Sequence, residues 1–551
     1  MSTSERARVP DSIDRAVRPS QFQHPLAFWL GVLACTAGVL LHLPMYFGAR
    51  DMGYRLADMS PDPPMIIGMV LIVAGLGLSL YGLVPHGSGA IRRQVARLRV
   101  RALDDAPIRF THVALLIVMA LAVTIDVMKP TTLSFVAPGV AKEYGLKTAT
   151  NPHASIPVTW LPLAGILGTA VGSLLWGWVG DRIGRRASIT FAGIIFVSTS
   201  ICGVMPGFQW NLLMCFIMGL GAGGMLPVAF ALIAETIPAR HRGWLIVLIG
   251  GDVAGAYVIT SWLAGALTPE FGWRILWLIG MPTGLLLIAL NRWIPESPRY
   301  LLAVGRRAAA DAVMARFGAA IVSDGAEEAL AATPADRAGF GQLLRKPLVG
   351  STVAVTGLAV AVGLLTYGFQ FWVPTNLQHL GLTEVSSDYV LRNSALLGLP
   401  LTVIVALLYG FWSSRRTIIG LAVLTALAVG VFAVFGDALV HNSTLLSIVL
   451  IIPLSGISSM AAVVTAYGAE IYPTAVRSRG AGLITGLTKA GGVLVLALVL
   501  ATTATPSLAV AALIGAVPLL LAVAVFVRTG PNTNQRTLEE ITTAEFAAEA
   551  S

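Results

Sequence analysis

The chain has 551 residues, of which 56% are hydrophobic and only 12% charged. Soluble domains carry about 25% charged residues, so half that density excludes an ordinary water-soluble protein. The net charge of +9 is spread over short loops between apolar runs, which excludes a nucleic-acid-binding face, and the three cysteines (Cys35, Cys202, Cys215) lie inside apolar runs, which excludes a disulfide framework.

Apolar runs of about 20 residues, the length that crosses a bilayer core as a helix, recur along the chain. In chain order, a polar segment (1–24) precedes two spans at about 25–47 and 64–85, and a basic linker covers 86–111. Six spans follow within 112–293, at about 112–136, 157–179, 188–206, 211–234, 244–267 and 272–293. A polar segment (294–347) separates them from six more within 348–527, at about 348–373, 391–412, 417–436, 444–468, 480–503 and 507–527. The tail (528–551) is polar, with a disorder-like composition from Gly530 onward. The predicted fold is all-α and integral to the membrane, with about 14 transmembrane helices arranged as an N-terminal pair and two six-helix bundles. Val32-Leu33-Ala34-Cys35 resembles a lipoprotein cleavage box, but its apolar run continues to Phe47, as in a spanning helix.

Loop charge predicts orientation. With both termini cytoplasmic, inner segments hold the linker arginines, Arg182, Arg185, Arg186, Arg240, Arg242, Arg415, Arg416, Arg477 and Arg479. Outer segments hold Arg50, Arg55, Lys142 and Lys147, with Arg274 and Arg392 at outer helix ends. Shifting the register by one helix reverses this bias. The excess of Arg over Lys points to a GC-rich bacterial genome, and the expectation is a multi-pass protein of a cell membrane, the bacterial inner membrane.

The two sets of six repeat one another. Ala234-Glu235 through Pro238, Arg240, Arg242 and Gly243 follows the fourth main span. Ala469-Glu470 through Pro473, Arg477, Arg479 and Gly480 follows the tenth. Such repeats let two bundles rock about a site at the bilayer midplane. Between the second and third main spans the chain reads Gly177-Trp178-Val179-Gly180-Asp181-Arg182-Ile183-Gly184-Arg185-Arg186. Its glycines permit a tight turn and its aspartate can pair with an arginine at a helix end. Read from the residues alone, it is either such a device or a basic turn that sets topology.

This loop resembles the signature of the major facilitator superfamily. The second-half equivalent, Gly410 to Arg416, keeps Arg415 and Arg416 but lacks the aspartate. Pro295-Glu296-Ser297-Pro298-Arg299-Tyr300-Leu301 resembles an element of its sugar-porter and metabolite–proton symporter branches, as do Gly272-Trp273-Arg274, Trp372-Val373-Pro374 and Glu470 to Thr474. The resemblance covers about 112–528 and omits the N-terminal pair. It implies a transporter rather than an enzyme, with small-molecule substrate, protons and lipid as partners and no cofactor.

Charges inside spans cost about 2.5–3.5 kcal/mol each and usually face a cavity or a partner. Asp126 and Lys129 in the first main span form either a self-neutralising pair or a proton site governed by the lysine. Asp252 and Lys489 each stand nine residues after the repeat glycine, Gly243 or Gly480. They are expected either to face a central cavity, with Lys489 attracting an anion, or to pair with local polar groups. Tyr367, Gln370, Trp372 and Asn376 of the seventh main span are candidate substrate contacts. Gly177, Asp181, Arg182, Gly184, Arg185 and Arg186 are candidate gating residues, and Glu235 with Arg240 and Arg242, and Glu470 with Arg477 and Arg479, are candidate latches at the inner ends. No phosphate-binding loop and no metal-ligand spacing among the eight histidines occur. The expected function is symport of a small polar metabolite, an organic acid or sugar-like solute. Proton-coupled efflux and a non-transporting sensor are the alternatives; the fifth span lacks the proline common in efflux members.

Overall fold

The computed structural model describes residues 22–84, 107–148, 151–319, 343–346, 348–439, 441–472, 477–502 and 506–533. Most of the basic linker, the middle of the central segment and the tail beyond Thr533 lie outside the described residues. Among those described there is no strand, only isolated bridges at Lys147–Pro157 and Thr148–Asn151. Twelve described helices are long and apolar enough to cross a membrane, including Pro25–Gly48 and Pro63–Leu83, with shorter apolar helices at Trp160–Ser173 and Ile275–Leu290.

The helices are α1 (Pro25–Leu40), α2 (Leu43–Gly48), α3 (Pro63–Leu83), α4 (Phe110–Glu143), α5 (Trp160–Ile183), α6 (Arg185–Thr199), α7 (Phe208–Thr236), α8 (Ala239–Gly250), α9 (Val253–Phe271), α10 (Ile275–Leu278) and α11 (Gly280–Leu290). Two short helices follow, α12 (Pro298–Ala303) and α13 (Arg307–Arg316). The second half holds α14 (Val349–Gly368), α15 (Val373–His379), α16 (Glu384–Phe411), α17 (Ser414–Leu439), α18 (Ser443–Glu470), α19 (Arg477–Thr502) and α20 (Leu508–Thr529). End names here follow the predicted orientation, with Glu143 and Glu384 at the outer end.

Besides the first N-terminal span, which divides between α1 and α2 at Leu41–His42, three main spans expected to be continuous are broken. The fifth breaks between α8 and α9 at Gly251–Asp252, where the Gly250-Gly251 pair weakens the helix and lies close against the facing bundle. A Cβ on Gly251 would sit 2.1 Å from Thr402. The seventh breaks at a 3-10 turn, Gln370–Trp372, because Pro374 cannot donate to the carbonyl four residues back and clashes with it. The sixth divides at Ile279. The first runs longer than expected, from Phe110 to Glu143, with Pro130 and Pro138 inside it.

The N-terminal hairpin packs on the first bundle. Gly31 and Gly38 of α1, and Gly68, Gly75 and Gly82 of α3, recur every seven residues. This spacing puts small residues on one face and lets backbones approach. A Cβ on Gly38 would lie 2.6 Å from the Gly68 carbonyl, and one on Gly75 would lie 2.7 Å from the Gly31 carbonyl and from Cys35 Sγ. Phe28, Val32 and Val39 share a core with Ile194, Val197 and Ile201 of the α6 region and Ile288 of α11. Leu26, Leu33, Val70 and Val73 are exposed and form the lipid-facing side. Gly75→Val should force α1 and α3 apart, at a cost of about 1–3 kcal/mol for overpacking. Thermal unfolding of the purified protein checks this; an unchanged midpoint would refute the close-packed face.

The bundles meet along α8 and α9 against α16 and α18, along α5 against α19, and at the outer ends of α4 and α15. Trp244 of α8 lies on Gly410 and Phe411 of α16, its ring centroid 5.9 Å from that of Phe411.

Candidate functional site

Asp126 lies about 24 Å along α4, at 1.5 Å per residue from Phe110. It is 2% exposed and its Oδ1 has no hydrogen-bond partner. Its charged neighbours are Lys489 of the facing bundle and, less strongly, Lys129 of its own helix. Lys489 is partly exposed on α19 and makes no hydrogen bond among the described residues. One turn further along α19, Gly492 leaves room for Tyr367; a Cβ there would lie 2.5 Å from the Tyr367 ring and 2.4 Å from Ile166. Asp126, Lys489, Tyr367 and Ile166 thus cluster where the two bundles face each other.

Lys129 departs from the expected pair. Its ammonium turns into the first bundle, donates to Thr283 Oγ1 at 3.3 Å and sits 5.5 Å over the Phe196 ring. Residues three apart on a helix diverge by about 60°, since each turn takes about 3.6 residues. That rotation is enough to point one side chain at the bundle interface and the other at α6 and α11. No ion pair joins Asp126 to Lys129 among the described residues.

Asp252 and Lys489 also separate. Asp252 sits at the α8–α9 break and accepts a short hydrogen bond from Thr124 Oγ1 of α4, the local polar pairing weighed in the sequence. The acid near Lys489 is Asp126. The helix break also scatters the seventh-span candidates. Gln370 and Trp372 lie in the 3-10 turn, while Asn376 Nδ2 donates to the Trp372 carbonyl at 3.1 Å, so they share no single helical face. Trp372 is fully buried and packs edge-on to Phe371 at 5.0 Å. With Thr375, Gln378, His379 and Lys142 it lines an outer cavity of about 330 Å³.

At the inner end the signature loop is held by the segment after α11. Gly184 has φ +97°, and a Cβ there would lie 2.4 Å from Glu296 Oε2, so backbone conformation and space both require glycine. Glu296 Oε1 accepts from the backbone N–H of Arg185 at 2.8 Å, Arg186 at 3.4 Å and Ser297 at 2.9 Å, which caps α6. Burial pushes the Glu296 carboxyl up, with these donors and the Arg185 charge opposing. Arg186 Nε donates to Asn291 O and Oδ1 at 2.9 and 3.0 Å, and Tyr300 Oη to Arg182 O at 3.3 Å.

Glu235 pairs with Arg185 at 3.7 Å and Arg299 at 3.8 Å and accepts a short bond from Ser297 Oγ. The expected partners Arg240 and Arg242 lie elsewhere. Arg240 is exposed, and Arg242 Nη2 donates to Ile237 O at 3.2 Å. Gly177 lies within α5, and the side chains of Asp181, Arg477 and Arg479 lie outside the described residues. In the second half Glu470 accepts from Tyr409 Oη at 2.6 Å and Thr533 Oγ1 at 2.7 Å. Its Oε1 lies 2.3 Å from where a Gly243 Cβ would be, so the acid of one repeat touches the glycine of the other. Asn532 Oδ1 accepts from Ser413 and Ser414, and Thr533 N donates to Ser414 Oγ at 2.9 Å. The start of the tail, expected to be disordered, is therefore built into the inner end. Thr533 stands to Glu470 as Ser297 stands to Glu235.

The outer end carries a polar hub that the sequence reading missed. Arg274 is fully buried. Its Nη2 and Nε meet Glu143 at 2.7 and 3.3 Å, and its Nη1 donates to the Gly203 and Met205 carbonyls at 3.1 Å. Glu143 also accepts from Trp273 Nε1 at 2.8 Å and from the backbone of Leu56 and Ala57 at 2.7 and 3.0 Å. Tyr46 Oη donates to Phe271 O at 2.6 Å, so the hairpin loop is bound to the outer ends of α4 and α9. Gly272-Trp273-Arg274 was the available signal for half of this hub; nothing marked Glu143.

Residues 132–544 match the family described as sugar (and other) transporter. The niacin transporter NiaP of Acinetobacter baylyi is 27% identical over 402 residues, covering 72% of this chain and 88% of that protein. The inner membrane metabolite transport protein YgcS of Escherichia coli is 30% identical over 345 residues, covering 59% and 72%. The proton:xylose symporter XylE of E. coli shares the fold at a TM-score of 0.61, with 18% identity over 79% of this chain and 98% of that one. Both the match and the two-bundle architecture span the body of the chain, which belongs to the sugar (and other) transporter family and is a membrane transporter of the major facilitator type for sugars or other metabolites.

Proposed function

We propose that the protein carries a small organic acid or sugar-like solute across a bacterial inner membrane by proton symport and alternating access, with both termini cytoplasmic. The observation that carries this reading is Asp126, a buried acid with a bare oxygen on one bundle, set among Tyr367, Ile166 and Lys489 where the other bundle faces it. Asp126 is the proton carrier and Lys489 the group that receives a substrate anion. While Asp126 is ionised its charge acts on Lys489 without a direct ion pair, and its protonation leaves the lysine's charge to be met by a carboxylate. Proton and anion then enter together, because the cavity closes best with its charges matched. Lys129, held by Thr283 and Phe196, sets the field at Asp126 from inside its own bundle. Tyr367 borders the site, and Asp252, held by Thr124, and Gln370, Trp372 and Asn376 are the further contacts proposed for substrate. The inner-end clusters around Glu235 and Glu470 are the parts that rearrange when the cavity opens inward.

The likeness to a niacin transporter favours an acid, since niacin is a carboxylic acid, and the likeness to a proton:xylose symporter supports proton coupling. Proteoliposomes given an inward proton gradient test the reading. Labelled nicotinate should accumulate above its external concentration and lose that accumulation when a protonophore is added, while nicotinamide, its uncharged isostere, should not accumulate. Protonophore-sensitive accumulation of xylose instead would keep the coupling and replace the substrate class. Extrusion of lipophilic cations with no uptake of acid or sugar would overturn the import reading.

A further inference from the structure

One buried acid has no part in the site described above. Asp388 lies one turn inside the outer end of α16, is 2% exposed and has an Oδ1 with no hydrogen-bond partner. It stands on the seam between the bundles, where α16 packs against α9. Across that seam Gly265 of α9 is in contact with Tyr389; a Cβ on the glycine would lie 2.8 Å from the ring. From α9 the Tyr257 hydroxyl faces this region, also buried and also without a partner.

Among the described residues no cation neutralises Asp388. Arg392, one turn along the same helix, is turned away, with its guanidinium 4.5 Å over the Tyr389 ring and bonded to Asn393 Oδ1 at 2.8 and 3.1 Å. Lys142 of α4 acts on Glu384, and Glu384 adds a second negative group one turn before Asp388. His379 ends α15, which meets α16 through a bond from Ser387 Oγ to Pro374 O at 3.4 Å.

An ionised carboxylate this buried, with one bare oxygen and neither cation nor donor among the described residues, is strongly disfavoured, whereas the neutral acid removes the charge and gains an O–H donor. The same seam must part when the cavity faces outward, and water then reaches the group. We propose that Asp388 is a second proton-binding site, distinct from Asp126, which must take a proton from the outer solution for the α9–α16 seam to close and returns it there when the seam opens. The step is a simple protonation of the carboxylate, with external water as source and sink. The seam is thereby a gate that acid closes and alkali opens.

The experiment uses full-length protein in nanodiscs with spin labels on cysteines placed at Glu270 and Ser386, exposed residues near the outer ends of α9 and α16. The native cysteines are buried. Distances between the labels should lengthen in a growing fraction of molecules as pH rises from 5 to 9, roughly the range over which buried carboxyls titrate. Asp388→Asn should hold the short distance throughout, and Asp126→Asn should leave the transition in place. Asp388→Glu retains a titrating group and should keep the transition with its midpoint moved by at least about half a pH unit, about threefold in proton concentration. The proposal is overturned if the wild-type distances ignore pH, if Asp388→Asn responds like wild type, or if the Asp388→Glu midpoint does not move.

Discussion

Glu143→Ala should destabilise the protein by about 3–5 kcal/mol, the cost of stripping the partner from a buried ion pair. Arg274 is fully buried, and Glu143 is its only salt-bridge partner among the described residues, at 2.7 Å. Two carbonyls would still accept from Nη1, and Tyr144 Oη from Nη2 at 2.9 Å. These satisfy hydrogen bonds but leave the charge uncompensated. The substitution also orphans the backbone N–H groups of Leu56 and Ala57 and the Trp273 indole. Glu143→Gln keeps an acceptor oxygen of the same reach and should lose less. Thermal unfolding in detergent measures the difference. A change below about 1 kcal/mol, the scale of an exposed pair, would mean that the hub is solvated rather than sealed.

Asp126→Asn is expected to abolish uphill transport while sparing the passage of substrate. One coupled proton supports about tenfold accumulation per pH unit of gradient, the equivalent of 1.36 kcal/mol. An amide cannot exchange that proton, so the accumulation ratio should fall to one. Lys489 would then be permanently free of its anionic neighbour, and exchange of internal for external nicotinate should persist or strengthen. Lys489→Gln should show the complementary defect, with lost preference for the acid over its amide and a raised KM. Uphill uptake retained in Asp126→Asn would remove Asp126 from the coupling step.

The spans could be read from hydrophobicity because lipid leaves the backbone no alternative to helix, and the halves because the Glu235 and Glu470 motifs recur in step. Pairing was harder to read. Lys129 and Asp126 are neighbours in sequence but point apart, and the repeat match of Asp252 with Lys489 left open whether each faces a cavity or pairs locally, as Asp252 does with Thr124. Depth follows from counting residues along one helix. Partnership depends on the rotation and tilt of helices far apart in the chain. Glu143 and Asp388 were overlooked for a related reason: near the end of a span an acid reads as a solvated terminus, and only packed neighbours bury it. The seven-residue glycine pattern of the N-terminal pair was legible but went unread.

The shared design of the two inner ends also has a temporal side. Ser297 follows the first bundle directly, so once the nascent chain has passed residue 300 that half holds every group needed to seal Glu235 and cap α6. Domains tend to fold in order of synthesis. The second half must wait, because Glu470 and Ser414 meet Asn532 and Thr533 only after α20 has been made. A ribosome stalled before Pro531 would leave a finished first bundle beside a second whose inner carboxylate has no hydroxyl from the tail.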